Sequence, residues 1–130
     1  MEKIIGIDVG LKRIGIAFSN GSVVVPLPAI IRKNRNQAAR DTMKLINEYK
    51  ADTLVVGLPM TNEEMQRRIK HFVSLLDFSG KTVFIDESYT SAEVEEEIKG
   101  KIKYKRDGRI DSLVAKKLIE NYILKNQSSF

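Results

Sequence analysis

Lys3-Ile4-Ile5-Gly6-Ile7-Asp8-Val9-Gly10-Leu11-Lys12-Arg13-Ile14-Gly15-Ile16-Ala17-Phe18 decides how this chain folds. β-Branched residues dominate both halves, and Gly10-Leu11-Lys12-Arg13 supplies a tight turn between them. The stretch reads as two strands joined by that turn, each long enough for the middle of a sheet. Period-two geometry puts Ile5, Ile7 and Val9 on one face and Ile4, Gly6 and Asp8 on the other. A carboxylate, Asp8, thus stands in an apolar run, where burying an unpaired charge is costly. Gly6, on the same face, leaves room for another group to approach the backbone. Asp8 has two readings: it holds a metal ion at the end of a sheet, or it ends the strand by hydrogen-bonding its own turn, as Asp often does.

Outward from this stretch, Asn20-Gly21 is a two-residue hairpin signal. The third strand, about 23–31, carries Pro26 and Pro28, which assign it to a sheet edge. A helix over 34–50 follows, with Ala39, Met43, Ile46 and Tyr49 on one stripe and Asn34 or Asn36 as its cap. Residues 52–57 form a short buried strand that Leu58-Pro59 ends. Thr61 with Glu64 makes a capping box for the second helix, whose apolar stripe is Met65, Ile69, Phe72, Val73 and Leu76. On its polar side Arg67, Arg68 and His71, the only histidine, read as surface residues. A fifth strand, 81–85, delivers Asp86 and Glu87 at its C-terminal end. Thr90 with Glu93 opens a short helix. The last helix spans about 109–124, with Ile110, Leu113, Val114, Leu118, Ile119 and Ile123 as apolar positions. Three antiparallel strands followed by helix–strand units predict one α/β domain over 1–130, a five-stranded mixed sheet with helices on both faces.

Composition narrows the class. Hydrophobic residues make up 42% and charged residues 30% of the chain, which excludes a disordered segment. No apolar run reaches the length of a membrane span and no signal-peptide pattern opens the chain, so a cytoplasmic location without membrane contact is expected. The absence of cysteine rules out disulfides and thiolate metal sites. The net charge of +5 is concentrated: Lys99, Lys101, Lys103, Lys105, Arg106 and Arg109 face one acid, Asp107, while the remaining chain balances sixteen bases against sixteen acids. Such concentration points to a polyanion.

Three carboxylates stand out by position. Asp8 closes the first strand, Glu87 follows the fifth, and Asp111 lies in the first turn of the last helix. If strands one, four and five run parallel, their C-terminal ends share the edge at which open α/β sheets bind ligands. Asp111 reaches that edge if the Val114–Leu118 side of its helix crosses the sheet. Converging carboxylates repel one another, and hard divalent cations resolve the conflict; oxygen donors alone favour magnesium or manganese over zinc. Taken singly, Glu87 also reads as a solvated loop acid and Asp111 as a first-turn acid favoured by the helix dipole.

Four motifs, in order, carry a resemblance: Gly6-Ile7-Asp8-Val9-Gly10-Leu11-Lys12-Arg13-Ile14-Gly15-Ile16-Ala17, Val55-Val56-Gly57-Leu58-Pro59, Asp86-Glu87-Ser88-Tyr89-Thr90 and Ile110-Asp111-Ser112-Leu113-Val114-Ala115. Together they resemble the bacterial YqgF family, whose members are described as RuvC-like Holliday junction resolvases or as nucleases in pre-16S rRNA maturation. The resemblance spans nearly the whole chain. It implies a ribonuclease H-like fold and phosphodiester hydrolysis, with Asp8, Glu87 and Asp111 as catalytic carboxylates binding Mg2+ or Mn2+. Two ions bridged by Asp8 would activate water and stabilise the leaving oxygen. Arg13 and the Gly57-Leu58-Pro59 loop would border the substrate path. Lys12 and Arg13, with Lys101, Lys103, Lys105, Arg106 and Arg109, would hold phosphates of structured RNA or branched DNA.

The chain departs from the family pattern at Ser88, where Arg is common, in the short acidic loop Met60-Thr61-Asn62-Glu63-Glu64, and at Val9 beside Asp8. These departures bear on substrate positioning; none is a proposed metal ligand. Two other functions compete with a nuclease. A nucleotide site like that of actin-like and sugar-kinase folds needs two lobes, where 130 residues supply one. A non-catalytic nucleic-acid-binding module would keep the fold without turnover. Resolving a four-way junction calls for a symmetric dimer, whereas trimming a precursor RNA needs one subunit, so monomer and homodimer both stand.

Overall fold

The computed structural model describes residues 2–87 and 108–127; the helix expected from Thr90, Ser88, and the bases Lys101, Lys103, Lys105 and Arg106 lie outside them. Ile4–Val9 (β1) and Arg13–Ser19 (β2) pair antiparallel, with Asp8 opposite Gly15. The Gly10 N–H closes their turn on the Arg13 carbonyl at 2.9 Å. All of β1 is buried, as its central place in the sheet order β3-β2-β1-β4-β5 requires. Val24–Ile31 (β3) forms one edge, Thr53–Leu58 (β4) runs parallel to β1, and Lys81–Asp86 (β5) runs parallel to β4. The sheet is therefore mixed, with β1, β4 and β5 pointing the same way.

Edge strand β3 shows what its prolines do. Ile14 pairs with Ile30, yet Ile16 pairs with Leu27, so β3 carries an extra residue across from Gly15. Pro28 falls in that slip, where its missing N–H breaks no ladder bond. The preceding loop is four residues, Asn20 to Val23, rather than the expected two. Asn20 explains the length: its Oδ1 accepts from the Ser22 and Val23 N–H groups at 3.0 and 3.1 Å, building a wider turn around the side chain.

The helices divide between the two faces. Arg35–Glu48 (α1) and Glu63–Ser74 (α2) cover one of them. There Ile5, Ile7 and Val9 pack with Ile46, Ile69 and Phe72. Gly108–Gln127 (α3) covers the other, where Ile4, Ala17 and Val55 meet Val114, Ala115, Leu118 and Ile119. A β-carbon on Gly6 would lie 2.6 Å from Ile119 Cγ1, so this glycine sets how closely α3 approaches β1. Each fully buried Ile or Leu contributes about 1.5–3 kcal/mol, so both layers hold the sheet firmly.

Helix boundaries follow their caps. Asn34 and Gln37 form a reciprocal capping box that starts α1. Its buried face includes Ala38 and Thr42 besides the expected Ala39 and Ile46, because the Thr42 hydroxyl is satisfied by the Ala38 carbonyl at 2.8 Å. Helix α2 is capped by Asn62, not Thr61; Asn caps as well as Ser or Thr and lies one residue nearer the first turn. Glu64 is then free to pair with Arg68 at 2.9 Å. Among the described residues, no helix is long and apolar enough to cross a membrane.

Candidate active site

Asp8 projects to the α3 side of the sheet, because Ile7 and Val9 on either side of it point into the α1/α2 core. It is only 7% exposed. Both strands beside it carry glycine at this level. Gly15 lies directly opposite on β2, and on β4 Gly57 comes one step beyond the Ile7–Val56 pair. A β-carbon at Gly15 would stand 2.1 Å from the Asp111 carbonyl oxygen. At Gly57 it would stand 2.9 Å from Glu87 Oε2. The two glycines are thus notches flanking Asp8: the first turn of α3 fills one, and the Glu87 side chain lies over the other.

Glu87 is held by its own backbone and Asp111 by the side chain of its neighbour. The Glu87 N–H donates to the Leu58 carbonyl at 3.0 Å, fixing the residue after β5 to the end of β4. The start of α3 is fixed by Ser112, whose hydroxyl donates to the Leu27 carbonyl at 2.6 Å and accepts from the Ile16 N–H at 3.1 Å. Asp111, also 7% exposed, is consequently set against β2. Its Oδ2 accepts from Arg13 Nε at 2.8 Å, an ion pair in which both side chains are largely shielded from water.

The three sequence-predicted acids therefore come to one side of the sheet, two of them beside glycines that flank the third. Among the described residues, however, no three His, Cys, Asp or Glu side chains lie close enough together to hold one metal ion. Asp111 is engaged by Arg13, a residue expected beside the substrate path. The donor types still fit a hard divalent cation: all are carboxylates, with no histidine among them. The Arg13 guanidinium supplies positive charge at the carboxylate that such a cation would otherwise neutralise. Lys12, in the turn, and Arg109, on α3, are exposed, while Asp86 is an exposed last residue of β5.

Gly15 and Ser112 escaped the sequence reading as site-building residues, and Gly57 entered it only within the loop expected to border the substrate path. A glycine inside a strand does hint at close backbone approach, so two of the three carried a signal. Ser112 carried none, since its partners lie far away in β2 and β3.

A family model described as RuvX, Holliday junction resolvase, matches residues 2–125. A protein of Sulfurimonas denitrificans named "Putative pre-16S rRNA nuclease" is 48% identical over 125 residues, covering 93% of this chain and 96% of that protein. Proteins of the same name from Sulfurovum sp. and Campylobacter lari are 48% and 47% identical, over 93% and 92% of this chain and 98% and 96% of their own lengths. Among solved structures, Thermus thermophilus RuvC in complex with a Holliday junction substrate superposes with a TM-score of 0.63 at 8% identity, covering 99% of this chain and 98% of that one. The fowlpox virus resolvase with junction DNA gives a TM-score of 0.57 at 15% identity, over 95% and 98% of the two chains. At such identities the likeness is one of fold, the RuvC-like, ribonuclease H-like arrangement of a mixed five-stranded sheet. With the sequence match running almost end to end, the chain belongs to the RuvX (YqgF) family of nucleases.

Proposed function

We propose that this protein hydrolyses phosphodiester bonds in the 5′ region of pre-16S rRNA, with Asp8, Glu87 and Asp111 holding Mg2+ or Mn2+. The carrying observation is the pair of notches at Gly15 and Gly57, which admit the start of α3 and the Glu87 side chain on either side of Asp8. The name of relatives about half identical to this chain supports the RNA substrate. When bound, the metal would polarise the scissile phosphate and an attacking water.

The protein's own part is placement. Asp8 sits on a fully buried central strand, so its carboxylate has a rigid base. Glu87 is tied to β4 and Asp111 to β2 and β3 through Ser112, so the acids come from three elements that cannot drift independently. Arg13 balances the Asp111 charge and, on releasing it, is placed to meet a substrate phosphate. Lys12 and Arg109, with Lys101, Lys103, Lys105 and Arg106, hold flanking phosphates. The protein works in the cytoplasm, and one subunit suffices for a single-strand cut.

A second reading, cutting of four-way DNA junctions, follows the description of the family model and calls for a homodimer. Assays of both substrates with Mg2+ or Mn2+, beside sedimentation, decide between them. Asp8→Asn should reduce cleavage by about a thousandfold or more while leaving strand binding intact. Cleavage that survives this substitution would refute the assignment.

A further inference from the structure

On the sheet face opposite the three acids, a cavity of about 410 Å³ lies between the turn after β1, the start of α1 and helix α2. Its wall is strongly basic: Arg32, Arg35, Arg67 and Arg68 line it together with His71, the chain's only histidine. Val9, Ile69 and Phe72 are buried beneath it, and the exposed Leu11 with the half-buried Met65 gives it an accessible apolar side. Arg32 is built in: Nη1 donates to the Gly10 carbonyl at 2.6 Å, and the guanidinium lies 5.3 Å from the Phe72 ring centroid. Burial, with the like charge of Arg35 nearby, pushes the Arg32 guanidinium below its ordinary value. Arg35 Nη1 and His71 Nε2 are 3.2 Å apart. Among the described residues, the one carboxylate ion-paired with this group is Glu64, on Arg68.

Four guanidinium groups around one concavity repel each other unless an anion joins them. Arginine presents a planar fork that matches a phosphate through paired hydrogen bonds. An accessible apolar side beside such a wall suits a nucleobase. The position matters as well. Val9 lines the cavity and Asp8 faces the acids, so successive residues of β1 border the two sites from opposite faces of the sheet.

We propose that this cavity is a second phosphate site, which takes a nucleotide of the substrate strand, its phosphate on the arginines and its base against Leu11 and Met65. A strand cut at Asp8 would then continue around the C-terminal end of β1 onto the opposite face. The proposal rests on the nuclease reading above.

His71 reports on the site, because its ring signals in a carbon-edited NMR spectrum have no histidine to overlap with. Asp8→Asn protein, which binds without cutting, is titrated with inorganic phosphate and with short RNA strands bearing a 5′-phosphate or a 5′-hydroxyl. Fluorescence anisotropy follows strand binding in parallel. A saturable His71 shift with both strands assigns an internal phosphate; a shift with the 5′-phosphorylated strand alone assigns a terminal one. Either result upholds the site. Arg35→Gln with Arg67→Gln, two exposed positions, should abolish the shift and weaken binding by about tenfold per arginine. It should also lower the log–log salt slope by about 0.7 per lost contact. The proposal is overturned if strands bind while His71 stays unmoved, if the double variant keeps its affinity and salt slope, or if no strand binds. Strand binding and a His71 shift in a wild-type protein that cuts nothing would refute the nuclease reading and leave this site standing.

Discussion

Gly15 and Gly57 look alike in sequence but differ in what an added methyl group would strike. At Gly15 the obstacle is the Asp111 backbone, which cannot yield without moving α3. Gly15→Ala should therefore cost about 3 kcal/mol of stability, visible as an earlier urea midpoint. At Gly57 the obstacles are side-chain atoms, Glu87 Oε2 and Cβ and Leu118 Cδ1. Gly57→Ala should cost about 1 kcal/mol and displace Glu87, so metal affinity and turnover fall while the unfolding midpoint moves less than for Gly15→Ala. Arg13 gives a third test. Without its guanidinium Asp111 loses a cationic partner, and metal-free protein should lose about 2 kcal/mol. The same change removes a competitor for that carboxylate, so calorimetry should show Arg13→Gln binding Mn2+ more tightly than wild type. Unchanged or weaker binding would mean the pair does not compete with the metal. At this scale, alternation along β1 foretold the face on which Asp8 stands. The grip of Arg13 on Asp111 was not legible, since it joins residues 98 positions apart.

At the scale of elements, local chemistry set most boundaries, and the misses have local causes. Thr61 and Asn62 are both competent caps, and periodicity alone does not choose between neighbours; the side chain that reaches the Met65 N–H does. The end of α1 is another case. The Lys50 N–H bonds to the Asn47 carbonyl and the Ala51 N–H to the Ile46 carbonyl, which closes the helix in a Schellman pattern with Lys50 at φ 53°. A side chain in that left-handed region costs about 1–2 kcal/mol, partly offset by the greater freedom a glycine has when unfolded. Lys50→Gly should raise stability by about 1 kcal/mol, and thermal unfolding would shift upward by about 3 °C. A lower midpoint would show that Lys50 makes a compensating contribution.

Across the whole molecule, one buried strand serves two faces. The α3 side of β1 carries the acids, and the α1/α2 side carries the arginine-lined cavity beside Val9. The mixed sheet, its strand directions and its two helix layers were readable because hydrophobic period and turn residues agree along the chain. The cavity was not, because Arg32 ends β3's side of the wall, Arg35 starts α1, and Arg67, Arg68 and His71 come from α2. Each reads as a solvated residue until the fold brings them together.

The central claim is that Asp8, Glu87 and Asp111 share divalent metal at the rim of the sheet, with Arg13 giving way. A crystal soaked in Mn2+ and measured at the manganese absorption edge tests it most directly. An anomalous peak bounded by these carboxylates, with Asp111 released from Arg13, is the predicted result. Asp111 still paired with Arg13 at saturating Mn2+, and no peak beside Asp8, would contradict it.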